Sequence, residues 1–87
     1  MNSTFSLFNQ INSLSFWLLT SSNYRASVAL DAEKDTYSVS VIYAGEELYA
    51  KSIEGFSKRN RLFLEVELDT MVAGLLHLKE NVTAQYA

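Results

Sequence analysis

The sequence predicts an α+β domain: an N-terminal helix, a four-stranded antiparallel β meander and a C-terminal helix, with both helices on one face of the sheet. Apolar residues recur at helical spacing at the start, alternate with polar residues through the middle, and return to helical spacing near the end. An antiparallel sheet can expose one face to solvent while helices cover the other. The 87 residues suffice for one domain, residues 1–87, near the lower limit for a single core.

The N-terminal segment predicts a helix over residues 4–19. Four apolar residues at spacings of 4, 3 and 4 share one helical face: Leu7, Ile11, Leu14 and Leu18. Asn2, Ser3 and Thr4 each offer a side-chain oxygen that can cap the first turn. The end of this segment, residues 16–20, also fits a short strand.

The middle of the chain predicts three strands joined by tight turns. From Tyr24 to residue 31, from Tyr37 to Tyr43 and from Leu48 to Ile53, apolar and polar residues alternate with period two. The segments 32–35 and 44–47 read as turns, and Gly45 can adopt the positive φ that a tight turn needs.

Residues 61–69 fit two structures. Four apolar residues alternate with Phe63, Glu65 and Glu67, as in a fourth strand: Leu62, Leu64, Val66 and Leu68. A helix over residues 60–82 would instead align Leu64 and Leu68 with Met71, Leu75 and Leu78. That helix leaves Leu62 and Val66 off its apolar stripe. We therefore expect a strand as far as Leu68, Asp69 as N-cap, and a helix from Thr70 to about Val82.

Composition excludes most catalytic and metal chemistry. Cysteine is absent, so no disulfide or thiolate metal site can form. The single histidine, His77, has Ala73 and Asn81 at the i−4 and i+4 positions, so no second ligand or carboxylate accompanies it on a helix. No phosphate-binding, dinucleotide or nucleophile motif occurs. We therefore expect no enzyme activity, no catalytic or metal-binding residues and no cofactor.

Two charged clusters have weak functional interpretations. Glu65, Glu67 and Asp69 on a strand would lie about 6.5–7 Å apart on one face and could bind a cation, although a solvated strand face is the favoured reading. The cluster of Lys58, Arg59 and Arg61 could meet phosphates. A net charge of −3 argues against nucleic acid as a partner.

The first 24 residues carry no charged side chain. A secretory signal needs basic residues before a continuous apolar run, and a membrane span needs about 20 apolar residues. The longest apolar run here is Phe16 to Leu19, so we expect a cytoplasmic protein without a membrane partner. Because solvated helix faces normally carry Lys and Glu, we expect another surface to cover this segment.

The candidate interface combines the helix with the outer sheet face. On the helix it comprises Phe8, Asn12 and Trp17. On the face away from the helices it comprises Ser38, Ser40, Ile42, Tyr49 and Phe63, with Ser27, Ala29 and Ile53 nearby. Small uncharged residues edged by aromatics suit a flat docking surface.

These features together predict a small non-enzymatic protein-binding module, homodimeric, that occupies a surface of a larger protein. Inhibitors, antitoxins and phage or mobile-element accessory proteins are of this general build. One alternative is a membrane-surface protein anchored by residues 16–19. The other is a small ligand-binding protein or carboxylate-based enzyme that uses Glu65, Glu67 and the tyrosines.

Overall fold

The computed structural model describes residues 3–86 as two helices and a three-stranded antiparallel sheet. In chain order the elements are α1 (Ser3–Ser21), β1 (Arg25–Asp31), β2 (Thr36–Tyr43), β3 (Glu46–Glu54) and α2 (Arg61–Tyr86). The strands form a meander in the order β1-β2-β3, and a single 3-10 turn at Phe56–Lys58 leads into α2. The predicted N-terminal helix and the first three strands are confirmed. Asn2, one of the proposed capping residues, lies outside the described residues.

Both helices cover the same face of the sheet. On β2 this inner face consists of Tyr37, Val39 and Val41, all buried. The ring of Phe8 in α1 meets the Tyr37 ring edge-on at 5.1 Å, and Nζ of Lys51 on β3 lies 3.2 Å from a carboxylate oxygen of Glu67 in α2. The helices therefore form one layer and the sheet forms the other.

The hairpin between β2 and β3 explains how β3 faces the core. Ala44 and Gly45 have φ values of 53° and 81°, as a two-residue type I′ turn requires. The register then shifts by one residue: Ile42 pairs with Glu47, whereas Val41 pairs with Tyr49. Leu48 is thus the extra residue of a β-bulge, and from Tyr49 onward β3 pairs regularly with β2.

The predicted fourth strand is wrong, because residues 61–69 form the first turns of α2. A helix buries a continuous stripe against α1 and the sheet: Leu68, Met71, Val72, Leu75, Leu78 and Val82. Exposure of Leu62 at 75% and of Val66 at 65% is the consequence. The long stripe outweighs these two exposed side chains.

Asn60, rather than Asp69, caps α2. Its side-chain Oδ1 accepts a hydrogen bond from the backbone N–H of Phe63 at 2.8 Å, and its carbonyl accepts one from Leu64 N–H at 3.1 Å. Arg61 pairs with Glu65 one turn later, at 3.3 Å. Asp69 lies in mid-helix, exposed.

Alanine substitutions at Val66 and Leu68 distinguish the helix from the predicted strand. In the helix Leu68 is fully buried and Val66 is exposed. We expect Leu68→Ala to lower the free energy of unfolding by about 2–5 kcal/mol and Val66→Ala to change it by less than about 0.5 kcal/mol. Urea unfolding measures both. Similar losses at the two sites would contradict the helix, since a strand places them on one face.

Candidate functional site

One side of α1 projects uncharged side chains into solvent. Phe5, Asn12, Phe16 and Leu19, at spacings of 7, 4 and 3, fall on one side of the helix. All four are exposed, and Phe5 and Phe16 keep 66% of their surface each. We call these four residues the α1 flank.

The α1 flank points away from α2, toward the β1 edge of the sheet. The side of α1 that borders α2 is marked by Trp17, whose ring centre lies 4.9 Å from Nζ of Lys79, and by Ser6 and Gln10, which line a groove with Leu62. These three α1 residues lie on a different side of the helix from Phe5 and Phe16. Because α1 packs against β1, the flank lies on the β1 side of the helix layer.

Strand β1 is an edge strand that α1 covers incompletely. Its inner-facing residues become more exposed along the strand: Val28 is half-buried and Leu30 is 67% exposed. Next to Leu30 in the register, Tyr37 of β2 is buried beneath Phe8 of α1. Helix α1 thus packs against β1, and its Phe8 reaches Tyr37 of β2, yet it leaves apolar surface uncovered at the Leu30 end of β1.

The opposite edge, β3, is protected. It carries charged residues at Glu46, Glu47, Lys51 and Glu54, and it contains the bulge at Leu48. Charges and bulges both discourage pairing with another strand. On β1 the only charged residues are Arg25 and Asp31, at the two ends.

The outer face of the sheet carries small, uncharged side chains at its centre. The register places six small residues together on this face: Ser27, Ala29, Ser38, Ser40, Ala50 and Ser52. Ile42, 40% exposed, lies at one end beside Arg25. Three predicted interface residues, Ser38, Ser40 and Ile42, therefore lie on this bare face.

Tyr49 and Ile53 lie on the inner face, not the outer one that the sequence predicted. They pair with Val41 and Tyr37, and residues directly opposite in a sheet share a face. Ile53 is 2% exposed. A Cβ atom on Gly74 of α2 would lie 2.6 Å from Cε1 of Tyr49, so the glycine lets the helix approach the ring.

Three further interface candidates serve internal packing, and one is exposed. Phe8 forms an aromatic cluster with Tyr37 and Phe56, at centroid distances of 5.1 and 5.4 Å. Phe63 is half-buried on α2 beneath the Arg59 guanidinium, 4.7 Å from the ring centre. Trp17 is half-buried under Lys79. Asn12 lies exposed in the α1 flank.

Sequence reasoning missed Phe5, Phe16, Leu19 and Leu30 as exposed surface. The signal for the three α1 residues was available, because they lie off the helical face that the predicted apolar stripe of α1 occupies. Leu30 carried no such signal, since the alternating pattern of its strand is the one expected of a buried residue.

The acidic run does not form a carboxylate site. In α2 Glu65 pairs with Arg61, whereas Glu67 points to Lys51 on β3, so the two side chains leave the helix on different sides. Within residues 3–86 no group of three His, Asp or Glu side chains is arranged to hold a metal ion. His77 is exposed on α2.

An open groove separates the outer sides of the two helices. It has a volume of about 420 Å³, and its walls are Leu7 and Gln10 of α1 and Leu62, Val66 and Asp69 of α2. The groove is apolar with carboxylates on the α2 side only. It adds accessible apolar surface to the helix layer but presents no converging catalytic groups.

Comparison with protein-family models, curated proteins and solved structures finds no match to this chain. Neither helix of residues 3–86 combines the length and the apolar character needed to cross a bilayer. The surfaces described above are therefore the basis for a functional proposal.

Burial raises the pKa of Tyr37 to about 12. The pKa of Tyr49 is also raised, mainly by burial and to a lesser extent by the negative charge of Glu67. The Tyr37 hydroxyl is enclosed and has no hydrogen-bond partner within residues 3–86. The folded protein therefore holds the Tyr37 proton at pH values where the unfolded chain, with a pKa near 10.0, releases it.

We expect Tyr37→Phe to keep or raise stability at neutral pH, because it removes a buried hydroxyl without a partner. In the unsubstituted protein the ionisation of Tyr37 does not lower the free energy of unfolding below pH 10. As the pH rises from 10 toward 12, the free energy of unfolding falls by up to about 1.4 kcal/mol per pH unit, because the unfolded chain releases the proton first. Tyr37→Phe should reduce this alkaline loss in urea unfolding measured across that range. A loss of more than about 1 kcal/mol at neutral pH would contradict the unpartnered hydroxyl.

Proposed function

We propose that this protein is a small, self-associating binding module that acts by occupying a surface of a larger protein. The observation that carries the proposal is the α1 flank, where two phenylalanines stay two-thirds exposed on a helix side without a charged residue. A second copy can cover this side without stripping water from any ion.

The bare sheet face supports the second half of the proposal. Its central serines and alanines leave the backbone surface close to an approaching partner, and Ile42 supplies an apolar contact at one end. Helices occupy the inner face, so this outer face is the flat surface available to a larger protein. The chemistry expected of that partner is an uncharged, apolar or hydroxyl-rich patch.

Charge distribution favours a protein partner over a lipid surface. A membrane-bound helix normally combines apolar residues with Lys and Arg that meet anionic headgroups. The α1 flank has no such residue, and the neighbouring α2 presents exposed Asp69 and Glu80. We therefore propose no membrane role. We also propose a cytoplasmic location, because a chain without cysteine forms no disulfides and fits a reducing compartment.

Sedimentation equilibrium of the unsubstituted protein and of Phe16→Asp tests self-association. We expect a dimer for the first and a dissociation constant at least about tenfold higher for Phe16→Asp, because each copy would bury a carboxylate against an apolar flank. Ser13→Asp is the matched control, since it adds the same charge to an exposed position of the same helix outside the flank.

A monomer at all concentrations would overturn the self-association. Equal weakening by Phe16→Asp and Ser13→Asp would show that net charge, rather than the flank, controls assembly. Circular dichroism confirms that each variant retains the fold, which is expected because both substituted side chains are exposed.

A further inference from the structure

We infer that the second copy docks edge to edge: β1 pairs antiparallel with β1 of the other molecule, so that two three-stranded sheets become one six-stranded sheet. The inference rests on the proposed self-association and specifies its geometry. Three independent features of the β1 side lead to it.

The first feature is an unprotected edge. Strand β1 hydrogen-bonds to β2 alone, so the other side of its backbone offers free donors and acceptors. Its five central residues, 26–30, carry no charge, and the strand contains neither proline nor a bulge. Natural proteins usually block such an edge, as this chain blocks β3 with four charged residues and a bulge.

The second feature is self-complementary charge. An antiparallel pair centred on Val28 places Arg25 opposite Asp31 of the second copy, and the twofold symmetry repeats this pair at the other end. Both residues lie on the outer face, where Arg25 pairs with Ile42 and Asp31 with Thr36. Within residues 3–86 Arg25 has no ion-pair partner. A second copy of the chain thus supplies the missing opposite charges.

The third feature is incomplete burial on the inner side of the same edge. The same twofold axis sets Val28 against Val28 of the second copy and Leu30 against Ala26 of the second copy. It also brings the two α1 flanks toward each other above the joined strands, because each flank lies on the β1 side. The exposed surface of Leu30, Phe5 and Phe16 then has one common explanation.

The joined sheet would also enlarge the binding face. The small-residue patches of the two copies, which include Ser27 and Ala29 at the edge, become continuous across the axis. A larger partner would meet a flat surface twice as wide as that of one chain.

A charge-reversal cycle tests this geometry. Arg25→Asp and Asp31→Arg each place like charges opposite one another at both ends of the pair, so each should raise the dimer dissociation constant by about tenfold at low salt. The double variant restores opposite charges and should return the constant to within about threefold of the unsubstituted value. Glu46→Lys, a reversal on the β3 edge, is the matched control and should leave it unchanged.

The cycle is specific because residues 25 and 31 are six positions apart on one strand, about 20 Å, and do not meet within a chain. Rescue in the double variant therefore requires contact between copies. If neither single reversal changes the dimer dissociation constant, or if the double variant does not restore it, the edge pairing is overturned and self-association stands. A monomeric unsubstituted protein overturns both. Asp31 also accepts a hydrogen bond from Lys34 N–H, so thermal unfolding is followed for each variant.

Discussion

The buried stripe along α2 is the constraint on which the rest of this small molecule depends. Leu68, Met71, Leu75 and Val82 reach the core on one face of a continuous helix that starts at Arg61. That helix uses the residues that would otherwise complete a fourth strand. The sheet is consequently limited to three strands, with β1 and β3 as its two edges. Gly74 then allows the helix to approach Tyr49 of β3 closely, which fixes α2 over that side of the sheet.

The placement of α2 determines what remains for α1. With one side against α2, α1 packs on β1 and reaches Tyr37 of β2 through Phe8, and it leaves its own flank and much of Leu30 in solvent. A share of the uncovered apolar surface, at Phe5, Phe16 and Leu30, therefore lies on the β1 side, while the β3 edge carries charge. A chain with this asymmetry has one edge suited to pairing and one that resists it. The proposed self-association and its proposed geometry both rest on this difference.

Local patterns predicted α1 and the three strands because their periods are unambiguous and their turns contain suitable residues. The predicted strand at residues 61–69 was wrong because a run of alternating apolar residues fits period two and, in part, also fits period 3.6. The alignment of Leu68 with Met71 and Leu75 on one buried stripe agrees with the helix, and Asn60 is its local cap. The sequence placed Tyr49 and Ile53 on the wrong face of the sheet, because a β-bulge sets the register of β3. The alternation of residues does not reveal such a bulge. In the candidate site Asn12 and Ile42 are exposed, and Ser38 and Ser40 are half-buried on the outer face. The edge beside α1 could not be predicted, because it depends on tertiary packing.

Cross-linking through single introduced cysteines tests the edge pairing most directly, because the chain has no cysteine of its own. Residues directly opposite in an antiparallel pair have Cα atoms about 4.5–5.5 Å apart, within the range that a disulfide spans. Only the residue on the twofold axis faces its own copy, so Val28→Cys should form a disulfide-linked dimer on mild oxidation and Ser38→Cys, at the centre of the outer face, should not. Cross-linking at Ser38→Cys in place of Val28→Cys would contradict the account.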